Sequence, residues 1–231
     1  MTDLWNLAVQ YSHLLLIGFK VTILISVVAI MLGFLLGVVV CFMRISKNGI
    51  LSTIAFGYVE LIRGTPILLQ IAMVYYGLPL VGINIPSFEI GGFTFDRFLC
   101  GVLALMINSS AYISEIIRSG IQSIDKGQEE AALSLGFTKR EAMALVIFPA
   151  AIKNVIPALG NNFITMVKSS SQVSTIGLAD LMYTANVIRG NSFRPFAPLV
   201  MVAVLYLILT LSLSALLRKV EYRLNISNSR A

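Results

Sequence analysis

The chain has 231 residues, of which 57% are hydrophobic and 12% are charged, and its formal net charge is +6. This composition is typical of a multi-span membrane protein and excludes a soluble globular enzyme. The basic residues are scattered, which excludes a nucleic-acid surface and favours basic cytoplasmic loops. Cys41 and Cys100 lie in apolar runs without metal-ligand spacing, and His13 is the single histidine, so we expect no metal site, no bound cofactor and no catalytic residue.

The N-terminal segment, residues 4–18, places apolar side chains on one face of a helix. Trp5 and Tyr11 carry amphipathic rings of the kind that favour the headgroup level of a bilayer. We therefore predict an interfacial helix that leads directly into the first membrane span.

The first span is predicted over residues 21–43, which carry no charge and are long enough to cross a hydrocarbon core of about 30 Å. Gly33 and Gly37 form a small-xxx-small step, which predicts a close contact with another helix. Arg44 and Lys47 follow in a short basic loop, which we place in the cytoplasm.

The second span, about residues 51–76, contains the sequence Glu-Leu-Ile-Arg-Gly-Thr-Pro from Glu60 to Pro66. Glu60 and Arg63 are three residues apart and can pair on one helix face. Gly64 and Pro66 weaken the helix near mid-membrane, and a broken helix at this depth points to a transport site where it lines a cavity. A purely structural proline kink is the alternative that these residues leave open.

The third span is predicted over about residues 95–117, after an external loop at residues 78–94 that is rich in glycine and proline. Asn108 lies near its centre. At its cytoplasmic end, Glu115 and Arg118 are again three residues apart, and a structural ion pair is favoured there over contact with a ligand.

A polar, helix-prone interval follows, and it carries charged residues from Asp125 to Glu141. Glu, Ala, Leu and Gln favour helix, and Gly136 is suited to end one. Thr138 and Glu141 have the spacing of a capping box, which predicts a second helical start. We therefore expect two short helices outside the bilayer, where they would form a docking surface.

Seven positions of this interval form one fixed pattern: Glu130, Ala131, Ala132, Gly136, Val146, Phe148 and Pro149. They resemble the EAA loop of ABC-importer permeases, E-A-A-x3-G-x9-I-x-L-P, with valine and phenylalanine in place of its isoleucine and leucine. In that family the loop forms the coupling helix that fits a cleft in the cytoplasmic ATPase. The resemblance implies that five residues couple the chain to an ATPase: Gln128, Glu130, Ala131, Ala132 and Gly136. An ordinary amphipathic loop is the alternative.

A second resemblance narrows the family. The pattern E-x-x-R-G-T-P-x3-Q at residues 60–70 and the stretch at residues 111–118 are similar to permeases of polar amino acid importers, the histidine, glutamine and cystine permease type. Together the two resemblances cover nearly the whole chain.

The fourth span is predicted over about residues 158–175, after Pro149 and Pro157 bracket a short apolar piece. Four of its side chains share one helical face: Asn162, Thr165, Met166 and Ser169. This face suits hydrogen bonding to a zwitterion or a neutral polar side chain, although contact between helices explains Asn and Ser equally well. Ser169 stands where the similar permeases frequently have an acid. A bound cation needs a carboxylate partner, so a neutral polar or sulfur-containing substrate is favoured.

Residues 174–194 are turn-rich and are predicted to form an external segment with room for a short helix. The fifth span, residues 195–217, carries no charge and is followed by Arg218, Lys219 and Arg223, which place the C-terminus in the cytoplasm. Alternation of sides then places the N-terminus outside.

The sequence thus predicts an all-α integral membrane fold with five transmembrane helices, an N-terminal interfacial helix and a cytoplasmic coupling-helix loop at about residues 118–145, all within a single transmembrane domain, residues 1–231. The resemblance implies a permease subunit of an ATP-driven, binding-protein-dependent amino acid importer in a bacterial inner or plasma membrane. Its implied partners are a cytoplasmic ATPase dimer that holds ATP and Mg, a second permease subunit, identical or different, and an external amino acid-binding protein. The chain itself has no G-x4-G-K-S/T sequence and is not expected to be an enzyme.

Five polar residues at mid-membrane depth are predicted to line the substrate pathway: Thr65, Asn108, Asn162, Thr165 and Ser169. One alternative function is an ion-gradient-driven secondary amino acid carrier, in which Glu60 or Glu115 would relay protons. Another is a structural or receptor subunit that signals without transporting.

Overall fold

Helices form almost the whole fold in the computed structural model, which describes residues 2–223. The α-helices are α1 Thr2–Gln10, α2 Ser12–Ile45, α3 Gly49–Arg63, α4 Ile67–Leu80, α5 Phe95–Gln122, α6 Lys126–Ser134, α7 Lys139–Ala142, α8 Phe148–Ser169, α9 Leu181–Ser192 and α10 Ala197–Arg223. A π-helical turn, Met143–Ile147, joins α7 to α8, and a 3₁₀ segment, Ser170–Ile176, extends α8. The loop between α4 and α5 carries a short antiparallel hairpin, β1 Glu89–Ile90 and β2 Phe93–Thr94.

Within the described residues, four helical segments are long and apolar enough to cross a membrane, and α3 with α4 makes a fifth span if this bent pair is counted as one. The first and last of these spanning helices, α2 and α10, expose large apolar side chains such as Phe42 and Leu207. Exposed apolar faces of this kind fit a lipid environment, because hydrocarbon chains and not water surround a spanning helix. The predicted five-span architecture is therefore confirmed.

The contact between α2 and α5 organises the bundle, and it depends on two glycines. A Cβ atom added to Gly33 would lie 2.9 Å from the Cβ of Ser109, and one added to Gly37 would lie 2.9 Å from the Cβ of Ile113. Real side chains do not approach so closely, so only glycine lets the two backbones meet here. The predicted small-xxx-small contact is confirmed, and α5 is its partner.

Two predicted boundaries are wrong. The first span begins at Ser12 and not near residue 21, because α2 continues to Ile45 without a break and the separate N-terminal helix ends at Gln10. The helix of the fourth span is Lys139–Ile176, in which α8 begins at Phe148 and runs through Pro157. Proline removes one backbone donor, but a membrane helix tolerates this loss where neighbouring groups replace it, so Pro157 does not end the helix.

Candidate functional site

The site is built around the break between α3 and α4, whose axes are bent by 105°. Gly64 allows the bend, because a Cβ atom at that position would lie 2.8 Å from the carbonyl oxygen of Glu60. Pro66 precedes α4 and offers its first turn no side-chain cap. The first backbone N–H groups of a helix have no partner within the helix, so the start of α4 presents donors and a positive dipole end.

Gln70 holds this break together. The carbonyl oxygen of Ile62 lacks its usual helical donor, because residue 66 is proline and has no N–H. The Gln70 side chain supplies the missing donor: its Nε2 lies 2.7 Å from the Ile62 oxygen and 3.1 Å from the Thr65 carbonyl oxygen. Its Oε1 accepts a hydrogen bond of 3.0 Å from Asn108 Nδ2 on α5. The broken helix is thereby fixed to the central helix of the bundle.

A cavity of about 830 Å³ lies beside the break, between α5 and α8. All five residues that the sequence predicted for a substrate pathway line it: Thr65, Asn108, Asn162, Thr165 and Ser169. Its size is within the range of small-molecule pockets. Among the residues that the structure describes, the lining includes one charged side chain, Arg63, and no carboxylate.

The polar side chains around the cavity fall into two groups. Thr65 and Asn108 are bonded within the chain, since Thr65 Oγ1 donates to the Leu61 carbonyl at 2.9 Å and accepts from Gln70 Nε2 at 2.8 Å. The Nδ2 atom of Asn162 is instead buried without a hydrogen-bond partner in the described part of the chain. An unsatisfied buried donor is costly, so Asn162 is the better candidate for direct contact with a ligand.

The predicted pairing of Glu60 with Arg63 is wrong. No ion pair joins these two side chains within residues 2–223, and the Arg63 guanidinium lies 5.5 Å from the centre of the Tyr112 ring. The spacing rule identifies residues that can meet on a helix surface, but here α5 offers an aromatic face that Arg63 covers instead. Sequence reasoning therefore missed Arg63 as the cationic group of the cavity, and it missed Tyr112 entirely.

The second predicted pair is present, with an addition. Glu115 bonds to Arg118 and also accepts a 3.0 Å hydrogen bond from Arg44 Nη1 at the end of α2. Both oxygens of this carboxylate are thus engaged by guanidinium groups, which stabilises its charged form. A residue held in this way is a poor proton relay, which argues against the carrier mechanism through Glu115.

The polar interval forms one short helix, α6, but the expected second short helix is wrong, because α7 is the first turn of a helix that continues through the π-helical turn into α8, Lys139–Ile176. Asp125 caps α6, with 2.6 Å between its Oδ1 and the Gly127 nitrogen, and Thr138 and Glu141 form the predicted capping box. Gly136 follows α6 with φ +92°, a left-handed conformation that glycine adopts without strain. The helix end predicted from the sequence is therefore confirmed.

The exposed face of α6 differs in part from the predicted coupling set. Gln128, Glu130 and Ala131 are exposed, but Ala132 is buried and packs inside the chain. Leu135, which was not predicted, is 80% exposed at the end of the helix. Leu135 lies between Leu133 and Phe137 within this polar interval, and an exposed apolar residue of this kind is well suited to a protein interface.

The sequence matches one protein family over residues 20–226, that of the binding-protein-dependent transport system inner membrane component. The chain belongs to this family. A probable glutamine ABC transporter permease protein of Bacillus subtilis (strain 168), GlnM, is 43% identical over 210 residues, which cover 91% of this chain and 93% of the relative. An arginine transport system permease protein of the same organism, ArtQ, is 39% identical over 90% of both chains.

Solved structures show the same architecture. A chain from an amino acid ABC transporter crystallised with histidines is 45% identical and superposes with a TM-score of 0.85 over 93% of this chain and 96% of that chain. A chain of the MetNI methionine ABC transporter, 19% identical, gives a TM-score of 0.73 over 93% of this chain and 98% of its own, and it shows the shared fold alone. This permease family is a family of transport components and not of enzymes, and it gives no support to an ion-gradient-driven carrier.

Proposed function

We propose that this chain forms the membrane pathway of an ATP-driven amino acid importer and that its cavity receives a neutral polar amino acid. The observation that carries the proposal is the 830 Å³ cavity at the broken helix, where the five predicted polar residues meet without a carboxylate. The named relatives include a glutamine and an arginine permease, so the family alone leaves the charge of the substrate open. The absence of a carboxylate among the described lining residues favours the neutral side chain, because a buried cation needs an anionic partner.

The two sides of the cavity suit the two ends of a zwitterion. The uncapped start of α4 and the Arg63 guanidinium lie on one side, and both attract a carboxylate. Asn162, Thr165 and Ser169 lie on α8 at the other side and offer oxygens to an ammonium group and donors to a side-chain amide. In this arrangement the substrate carboxylate points toward the break and its side chain toward α8.

Coupling to ATP hydrolysis would run through α6. Its exposed residues Gln128, Glu130 and Ala131 and the neighbouring Leu135 form a polar surface with one apolar contact, which fits a cleft in a cytoplasmic ATPase. The same segment continues through α7 and the π-helical turn into α8, which carries half of the cavity. A displacement of α6 would thus pass through the short link at residues 135–138 to α7, and from there through one continuous helix to the substrate side chains on α8.

The remaining parts of the assembly follow from the same proposal. Arg44, Lys47, Arg218 and Lys219 place the α2–α3 corner and the C-terminal end of α10 in the cytoplasm, with the N-terminus outside. Since five spans are too few to enclose a pathway, a second permease subunit would complete it. A cytoplasmic ATPase dimer would hold ATP and Mg, and an external binding protein would deliver the amino acid.

The test is to compare Asn162→Leu and Ser169→Leu with a matched control, Ser212→Leu, which lies on the exposed surface of α10. We expect at least about a tenfold rise in the KM for uptake in the two cavity variants, because leucine cannot form the hydrogen bond that the replaced polar side chain makes to the substrate. The control should leave KM unchanged. Unchanged KM in both cavity variants would show that the substrate binds elsewhere.

A further inference from the structure

A second recess lies outside the proposed pathway, as an apolar groove of about 490 Å³ between α2, α5 and α8. Phe42, Ile117, Phe148 and Ile156 are among the side chains that line it, and no polar atom of the described residues contributes to its surface. Phe42 is 67% exposed and Phe148 is about half exposed. A groove of this kind would receive a flexible hydrocarbon chain more readily than any polar ligand.

A basic pocket of about 470 Å³ adjoins the groove at the end of α2. Its lining includes Arg44, Arg118, Gln122 and two hydroxyl residues near the start of α3, Ser52 and Thr53. Ile45 lines both recesses, so the apolar groove passes into the basic pocket around the last turn of α2.

The charge of the basic pocket favours an anion. Two guanidinium groups, of Arg44 and Arg118, surround one carboxylate, that of Glu115, so the cluster keeps one positive charge in excess. The Arg44 guanidinium also lies 5.1 Å from the centre of the Phe56 ring, which holds it in place without using its remaining N–H donors. An anionic group with several oxygens could accept bonds from both arginines and from the Thr53 hydroxyl, whereas the Ser52 hydroxyl already donates to the Arg44 carbonyl oxygen.

The groove and the pathway cavity lie on opposite sides of α5. Ile117 lines the groove and Asn108 lines the cavity, and these positions are about two and a half helical turns apart, which turns their side chains in opposite directions. If the cavity faces a pathway shared with a second subunit, the groove faces outward into the bilayer. The basic pocket, at the end of a spanning helix, then lies at headgroup level.

We propose that an anionic phospholipid binds here, with its phosphate in the basic pocket and an acyl chain in the apolar groove. The adjoining chemistry of the two recesses and their position at the end of α2 specify this occupant. The groove includes Met143 and Phe148, which flank the π-helical turn between α7 and α8. A bound acyl chain would therefore pack against the segment that connects α6 and α7 to the polar face of α8. The lipid site does not depend on which substrate the cavity carries.

The test uses the full chain, purified with its bound partners and reconstituted in nanodiscs of equal parts phosphatidylcholine and phosphatidylglycerol. Native mass spectrometry then measures how much of each lipid stays on the released complex. Arg44→Gln removes one cation while Glu115 stays paired with Arg118, and Ile156→Trp fills the groove. The matched controls are Arg218→Gln and Leu207→Trp, both on the exposed surface of α10.

We expect phosphatidylglycerol to be retained over phosphatidylcholine and its retention to fall about tenfold in Arg44→Gln, because the bound phosphate loses a charge-assisted hydrogen bond that an exposed arginine outside the pocket does not form. Ile156→Trp should lower retention at least as much, and the two controls should not. Equal retention in all variants, or equal losses in the controls, would overturn the site. Displacement of the lipid by soluble glycerol phosphate alone would mean that the pocket binds free anions. A change in subunit number in Ile156→Trp would mean that another protein surface fills the groove.

Discussion

Replacement of Gln70 by leucine tests whether one side chain holds the broken helix. The change removes the donor to the Ile62 carbonyl, at 2.7 Å, and the acceptor for Asn108, at 3.0 Å. Pro66 cannot replace the lost donor because it has no N–H. Each buried polar group left without a partner costs about 1–3 kcal/mol, so the two groups together predict a loss of about 2–6 kcal/mol.

The competing expectation is a smaller loss of stability in Gln70→Leu, because side-chain hydrogen bonds between membrane helices contribute about 0.6 kcal/mol on average. We expect the larger cost here, since the Ile62 carbonyl would keep only the long contact of 3.5 Å with Thr65 Oγ1 and Pro66 has no N–H to offer. The thermal midpoint of unfolding should fall by at least about 4 °C. Gln10→Leu, at an exposed position of α1, is the matched control and should change the midpoint by less than about 1 °C.

A double-mutant cycle with Asn108→Leu separates the two contributions. In the double variant no amide of Asn108 remains unpaired, so the combined loss of stability should be at least about 0.5 kcal/mol smaller than the sum of the single losses. Additive losses, or a midpoint in Gln70→Leu equal to that of the control, would refute the assignment of Gln70 as the residue that fixes the break to α5.

Three further predictions concern other parts of the chain. Gly136→Asp should leave the protein folded but abolish uptake while ATP hydrolysis continues. A φ of +92° disfavours any side chain, so the substitution changes the orientation of the link between α6 and α7, and uptake at the wild-type rate would contradict this prediction. Gly37→Leu should lower the thermal midpoint strongly, because even a Cβ atom at this position would lie 2.9 Å from the Cβ of Ile113. Gly57→Leu is the control and should not lower it, because a Cβ atom there meets nothing within 4 Å; equal shifts in the two variants would contradict the role of Gly37. Burial raises the pKa of Asp180, in the segment between the last two spans, to about 7 from its ordinary 3.8, so the thermal midpoint of the wild-type protein should decrease as pH rises from about 4 through 7. In Asp180→Asn, whose side chain stays neutral, this contribution to the pH dependence should disappear, and identical pH profiles of the two proteins would refute the prediction.

Much of the fold could be predicted because its signals are local. Long uncharged runs specify spans, Gly64 and Pro66 specify a break, and the spacing of Thr138 and Glu141 specifies a cap. The polar face of α8 followed from helical periodicity alone. These features depend on residues within a few positions of one another, so one sequence is enough to recognise them.

The rest depends on contacts that spacing does not reveal. Arg63 has two possible partners, Glu60 on its own helix and Tyr112 on α5, and only the packing of α3 against α5 decides between them. Asn108 has the chemistry of a substrate ligand, yet its amide is committed to Gln70 on a neighbouring helix. The start of α2 was misplaced because the charge of Lys20 suggested a boundary, whereas nothing between residues 12 and 21 interrupts the helix.

The central claim is that the cavity carries a neutral polar amino acid in an importer driven by ATP. The most direct measurement is ATP hydrolysis by the complex purified gently from its native membrane and supplied with a binding protein and a panel of amino acids. The account predicts stimulation by glutamine or another neutral polar amino acid and little stimulation by arginine. Stimulation by arginine alone would contradict the assignment of a neutral substrate, and transport by a preparation that retains no ATPase would contradict the importer mechanism itself.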